Sequence, residues 1–294
     1  MPHLTGGETA LSAGPRTGLS TADGRGTERE GGRGGEGGWG GLGIGVPGYA
    51  HPLLAPAEWT GLTRSRAPLH WVVLNVADGP GDRPDPHCLA AAGTLSNAGV
   101  RVLGHLDLAG GARPFGEVIA DAHRFAEWYR VDGFLLDRCP GDRAGLPAVR
   151  RITATLEAVV DGGHVVLGHG VHPYPGYAEA ADQLVTFSGP WTDYRWSQVA
   201  EWTAEYPPER FAHFVHGVPR THLAEATRIA RWQGAGTIFF TDRTDRADRT
   251  APAGDGAAAG PIGLRGQRAQ VGPYETVPGY WDEIVSQIGP GVSE

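Results

Sequence analysis

Arg130-Val131-Asp132-Gly133-Phe134-Leu135-Leu136-Asp137-Arg138 holds an apolar run that stops abruptly on a carboxylate followed by a cation. The run predicts a strand over Gly133 to Asp137, and a polar group at the C-terminal end of a strand is where a β/α barrel does its chemistry. Seven similar runs flank it: Ile44 to Tyr49, His70 to Val76, Val100 to Asp107, His164 to Gly168, Gln183 to Phe187, Phe211 to Gly217 and Thr237 to Thr241. Between them, Pro86 to Ala98, Pro114 to Tyr129, Leu146 to Val160, Thr221 to Trp232 and Tyr280 to Ile288 carry apolar residues at three- and four-residue spacing, as helices do. Pro114 and Pro219 stand where a helix begins, a position that tolerates a missing N–H. Alternating strands and helices of this number predict one (β/α)8 TIM-type barrel over residues 44–290. An open doubly wound sheet fits less well. Gly43-Ile44-Gly45-Val46-Pro47-Gly48 matches the letters of a dinucleotide fingerprint, yet it overlaps the first strand instead of opening a helix. A chain without lysine also cannot supply the P-loop lysine, so no cofactor is expected.

Residues 1–43 hold 15 of the 47 glycines and almost no apolar periodicity, which predicts a disordered Gly- and Arg-rich tail. Neither a basic start with an apolar stretch of about 7 to 15 residues nor a run of about 18 apolar residues is present. The chain is therefore expected to be cytoplasmic, with no membrane partner. A net charge of −8 argues against a nucleic-acid footprint. Cys88 and Cys139 are too few for a disulfide framework and read as packing residues. Arg243 to Gln270 reads as a long loop on the functional face.

Strand ends supply the candidate site. Asp137 leads, with Asn75 and the Asp78-Gly79-Pro80-Gly81 turn after the second strand. Tyr49 and His51 after the first strand, with Trp191 and Tyr194 after the sixth, offer flat faces on which sugar rings stack. Trp128, Trp202 and Trp232 lie on presumed helices and read as core. His105, Asp107, His169, His216 and Asp242 fall at or near strand ends, where they serve as hydrogen-bonding groups. The same composition suits a hydrolytic metal site, but the close His-x-His spacing is absent and no metal is expected. Gly168-His169-Gly170 lacks a nucleophile-elbow serine, so Ser-His-Asp catalysis is not expected.

Several separated segments together resemble the spherulation-specific family 4 (spherulin 4-like) proteins. They are Val46-Pro47-Gly48-Tyr49 with Trp59, Asn75-Val76-Ala77-Asp78-Gly79-Pro80-Gly81, and Ala98-Gly99-Val100-Arg101-Val102-Leu103-Gly104-His105, where the family typically ends on an aromatic. Trp128-Tyr129-Arg130-Val131-Asp132-Gly133-Phe134, Phe214-Val215-His216, Phe239-Phe240-Thr241-Asp242 and Tyr274-Glu275-Thr276-Val277-Pro278-Gly279-Tyr280-Trp281 complete the series. The resemblance implies a barrel related to glycoside hydrolases, with carbohydrate, including galactosamine-containing polysaccharide, as partner. It further implies an Asp-Glu pair at the end of the fourth strand and a Glu just after the sixth, working as acid, base or nucleophile around the anomeric carbon.

This chain presents Asp137-Arg138 and Phe187-Ser188 at those places. A guanidinium stays protonated at any working pH and cannot act as the base, and a serine without an adjacent base is a poor nucleophile. The expected function is a carbohydrate-oriented cleft with degraded or altered glycosidase machinery, Asp137 being the catalytic-position carboxylate. An active glycosidase recruiting Asp107, Asp193 or Asp242 is the first alternative, and a non-enzymatic interaction scaffold the second.

Overall fold

The computed structural model describes residues 41–48, 50–64, 67–244 and 272–288. The Gly-rich stretch up to residue 40, Tyr49 and most of the predicted loop over Arg243 to Gln270 lie outside the described residues. Eight parallel strands close into a barrel in sequence order: β1 Gly43–Val46, β2 Leu69–Leu74, β3 Val102–Asp107, β4 Gly133–Asp137, β5 His164–Gly168, β6 Gln183–Pro190, β7 Phe211–His216 and β8 Thr237–Phe240. The helices are α1 Pro56–Arg64, α2 Pro86–Asn97, α3 Phe115–Tyr129, α4 Leu146–Val159, α5 Trp191–Tyr194, α6 Leu223–Trp232 and α7 Trp281–Ile288. This is the expected (β/α)8 barrel. No helix among the described residues is long and apolar enough to cross a membrane.

Local chemistry around the 130–138 stretch sets β4 in place. Arg130 ends α3 in the left-handed conformation (φ 53°, ψ 48°) and turns the chain back toward the barrel. Asp132 then stitches three strands: its Oδ2 accepts from the Val102 amide at 2.8 Å, and its carbonyl accepts from the His164 amide at 3.0 Å. Side chains alternate along the strand, so Leu135 and Asp137 share the inner face while Phe134 and Leu136 pack outward. On β3 the same alternation sends His105 inward, and Gly104 outward against α3, where an added Cβ would stand 2.7 Å from the Phe125 ring. Gly45 serves the interior, because a Cβ there would meet the Trp71 ring at 2.4 Å. Trp71 Nε1 donates to Gln183 Oε1 at 2.9 Å and Gln183 Nε2 donates to Thr237 Oγ1 at 2.8 Å, so the large polar groups filling the barrel are paired.

Several boundaries differ from expectation. Gly43 pairs with Thr237 and belongs to β1, so the first strand starts inside the stretch that composition assigns to the tail. β1 stops at Val46, and β2 stops at Leu74, which leaves Asn75 in the following turn. β6 runs past Phe187 to Pro190 because Ser188, Gly189 and Pro190 keep pairing with Phe214, Val215 and His216 of β7. α1 was not expected; Trp59 and Leu62 are its buried contacts. Trp128 and Trp202 pack against the core as read, whereas Trp232, at the last residue of α6, is 76% exposed.

Candidate functional site

A cleft of about 530 Å3 opens at the C-terminal ends of the strands, a size suited to a small ligand. Asp137, Asn75, His51, His105 and Ser188 line it, as do Asp78, Tyr274 and Glu275. Sequence order alone separates these residues widely, and barrel closure brings them to one mouth.

Asp137 Oδ1 accepts from the amide of Arg138 at 2.8 Å, and its Oδ2 lies 3.5 Å from His105 Nε2. Its side chain is 48% exposed and thus reachable from the cleft. The other ring nitrogen of His105 is buried, with no hydrogen-bond partner among the described residues, so it cannot relay a proton to Ser188. Asp137, His105 and Ser188 therefore do not form a Ser-His-Asp relay. Ser188 is exposed, with its Oγ 3.4 Å from the Tyr274 hydroxyl. Asn75 Oδ1 accepts from the Gly79 amide at 3.0 Å, so the residue both closes the 75–79 turn and faces the cleft.

Arg138 goes elsewhere. β3 and β4 pair in a register that sets Asp107 directly beside Asp137, and adjacent like charges disfavour a strand pair. The Arg138 guanidinium answers this by hydrogen-bonding both oxygens of Asp107, with Nε to Oδ1 at 2.8 Å. That contact holds the Asp107 carboxyl below the usual range, helped by a 2.7 Å hydrogen bond from the Ala109 amide. Neither Asp107 nor Arg138 lines the cleft, so these two sequence-selected residues form a neutralising pair beside it.

Five further candidates also leave the site. Trp191 is 5% exposed, tilted against Tyr194 and His222, and is a packing residue. Tyr194 is buried, with its hydroxyl 2.9 Å from His213 Nδ1. His169 packs edge-on against Tyr177, and burial pushes it down to about 4. His216 is buried on β7 with its ring edge-on to Tyr274, and Asp242 accepts from the Gly279 amide at 3.1 Å to hold the approach to α7. The carboxylates considered for recruitment, Asp107, Asp193 and Asp242, are thus absent from the cleft lining, and Asp193 accepts from the Thr192 hydroxyl instead. Tyr49 lies outside the described residues.

Tyr274 and Glu275 were visible in the sequence only as part of a motif, without a role. Tyr274 Oη donates to the Phe214 carbonyl at 3.2 Å, and its ring meets Phe214, His216 and Phe239, which seats the 272–275 segment over β6 to β8. The Ala50 amide donates to the Glu275 carbonyl at 2.9 Å and ties the segment to the loop after β1. The signal that finds them is this cross-barrel contact, not sequence pattern.

Among the described residues, one group of three donors falls within metal-binding reach: His51, Asp85 and Cys88. Its geometry is that of a helix cap. Asp85 Oδ1 accepts from the amides of His87 and Cys88 at 2.8 and 3.0 Å, opening α2. The Leu53 amide donates to His51 Nδ1 at 3.2 Å, which puts the proton of the neutral ring on Nε2, aimed at Asp85 Oδ2 3.3 Å away. The histidines and carboxylates selected from strand ends do not form such a group.

No curated protein sequence matches the chain. Among solved structures, Aspergillus clavatus Sph3 in complex with GalNAc superposes with a TM-score of 0.66 at 23% identity, covering 84% of this chain and 96% of that one. The glycoside hydrolase domain of PelA from Pseudomonas aeruginosa gives a TM-score of 0.44 at 16% identity, covering 69% and 96% of the two chains. A chitinase from Chromobacterium violaceum gives 0.41 at 16% identity, with 60% and 68% covered. The profile described as spherulation-specific family 4 matches residues 43–288, which contain all eight strands and the whole described cleft. The chain belongs to spherulation-specific family 4.

Proposed function

We propose that this barrel receives carbohydrate in the cleft at the end of β4 and that the acid pair of conventional glycoside hydrolysis is dismantled in it. Family membership supports the carbohydrate part, as does the likeness to Sph3, which was crystallised with GalNAc. The lining supports it too: hydroxyl, amide, imidazole and carboxylate groups set among Leu54, Leu135, Phe214 and Tyr274 are what a sugar, polar at its edge and apolar on its faces, requires.

The observation that carries the loss of chemistry is the Arg138–Asp107 pair. At the position where the resemblance implies a glutamate, the side chain is a cation spent on a neighbouring carboxylate and directed out of the cleft. Ser188 stands at the second such position with the Tyr274 hydroxyl as neighbour, and a phenol hydroxyl that donates to the Phe214 carbonyl is not a base that activates a serine. Asp137 remains and accepts hydrogen bonds from sugar hydroxyls. A second reading, an active glycoside hydrolase using Asp137 with a recruited carboxylate, is favoured by Asp78 and Glu275 in the lining. Reducing-end release from galactosamine-containing glycans separates the two. The first reading expects little or no release, and efficient release that disappears in Asp137→Asn would overturn it in favour of the second.

A further inference from the structure

A second cavity, of about 370 Å3, opens between the N-terminal ends of α3 and α4 and shares no lining residue with the cleft. Its volume is that of a small-molecule pocket. Residues of the segment after β3, of the loop after β4 and of the first turns of α4 form its walls. The backbone fixes them. The Leu108 amide donates to the Asp137 carbonyl at 3.0 Å and the Gly110 amide to the Arg138 carbonyl at 2.8 Å, so one wall hangs from the end of β4. Asp142, the one carboxylate in the lining, accepts from the Gly145 amide at 2.9 Å and sets the entry to α4. Gly145 lets the Pro140 ring lie against that entry, since a Cβ there would stand 2.7 Å from the ring.

The floor of the cavity is apolar, with Leu108, Val149 and Ile152 buried and Phe115 half-buried. Two guanidiniums reach the lining, and their circumstances differ. Arg113 is fully engaged: it hydrogen-bonds Asp121 and the Asp107 carbonyl, and Glu117 lies 3.8 Å from its Nε. Arg151 places its guanidinium carbon 4.0 Å from the centre of the Phe115 ring, and among the described residues no carboxylate lies within ion-pair distance of it. A guanidinium stacked on a ring keeps its in-plane N–H groups for another partner, and their fork matches a carboxylate.

We propose that this cavity is a second ligand site, which takes a carboxylate joined to an apolar body. The body fills the space over Leu108, Val149 and Ile152, and the carboxylate pairs with Arg151. An uncharged body leaves the guanidinium to water, and a small bare anion leaves the apolar floor wet, so affinity requires both parts of the ligand. The site is independent of the carbohydrate reading of the cleft.

The experiment titrates octanoate, 1-octanol and acetate into the full chain by calorimetry, for wild type, Arg151→Gln and Ala148→Trp, with thermal melts as the folding control. Arg151 and Ala148 are both exposed on α4, so the first change removes the charge and the second fills the cavity without entering the core. Hydrogen bonds to charged groups are the stronger kind, which sets the expected differences. Wild type is expected to bind octanoate saturably and at least about tenfold more tightly than octanol or acetate. Arg151→Gln should bring octanoate down to the level of octanol, and Ala148→Trp should abolish its binding. Octanoate that binds no better than octanol, or an Arg151→Gln change that weakens both equally, would overturn the inference by removing carboxylate recognition. Octanoate binding that survives Ala148→Trp would overturn it by placing the ligand elsewhere, and so would wild type that binds no octanoate. If Ala148→Trp melts early, the octanoate-to-octanol ratio in Arg151→Gln decides alone.

Discussion

Replacing Arg138 and Ser188 together by glutamate restores the carboxylate pattern that the family resemblance implies, and the structure sets what each change does. Arg138→Glu removes the partner of Asp107 and leaves three carboxylates at Asp107, Asp137 and position 138, the first two being direct register partners on β3 and β4. Crowded like charges raise the pKa of at least one of them, which is the condition a general acid near neutral pH requires. Ser188→Glu adds a carboxylate at an exposed, cleft-lining position on β6, two strands from Asp137. A positioned acid or base contributes about a hundred- to ten-thousand-fold, and residues that act as a unit are strongly non-additive. Each single variant is therefore expected to stay near wild type, and the double to release reducing ends at least about a hundredfold faster. The assay is reducing-end release over a panel of galactosamine-containing glycans and pH values, with Asp107→Asn added to the double variant to relieve the crowding. Wild-type turnover equal to that of the double, or a double that binds glycan and stays folded yet remains inert, would refute the reasoning.

Gly104→Ala forces a methyl to within 2.7 Å of the buried Phe125 ring and costs about 1–3 kcal/mol, which lowers Tm by a few to about ten degrees in scanning calorimetry. Acidification should destabilise the barrel well before the carboxylates titrate. Burial holds His70 and His213 down to about 3 and His169 to about 4, so these rings stay neutral in the fold while the unfolded chain takes up protons below about 6.5. Their stabilising contribution is complete above pH 6.5 and is lost as pH falls toward 3–4. Denaturant midpoints at pH 7.5, 6 and 5 should fall in that order, and a flat profile would count against burial of the neutral rings. Burial pushes the Cys88 thiol up to about 12 and raises Cys139 as well, so a thiol reagent at pH 8 should label neither cysteine in the folded protein and both after denaturation.

The architecture was legible because each strand of a parallel barrel is a short apolar run and each helix has its own period. The 130–138 stretch alone reports a strand and the polar group at its working end. Asp137, Asn75, His51, His105 and Ser188 come to line one cleft because barrel closure turns a strand-end address into a shared location. What escaped was everything decided by contact between strands. The pairing of Arg138 with Asp107 spans 31 residues and follows from a register that no local pattern encodes. Glu275 reaches the cleft because Ala50 and Tyr274 pin its segment across the mouth. Trp191 shows the converse: a strand-end address does not say which way a side chain turns, and its ring turns into the packing around α5. β6 was cut short at Phe187 since Ser188-Gly189-Pro190 reads locally as a turn, although β7 continues to pair with it.

The most direct test of a binding cleft without conventional hydrolysis is a calorimetric titration of wild type with a galactosamine-containing oligosaccharide, with the contents of the cell then analysed for chain length. The account predicts saturable binding, weakened in Asp137→Asn, and an oligosaccharide recovered at its original length. Recovery of shorter fragments from wild type, but not from Asp137→Asn, would contradict it.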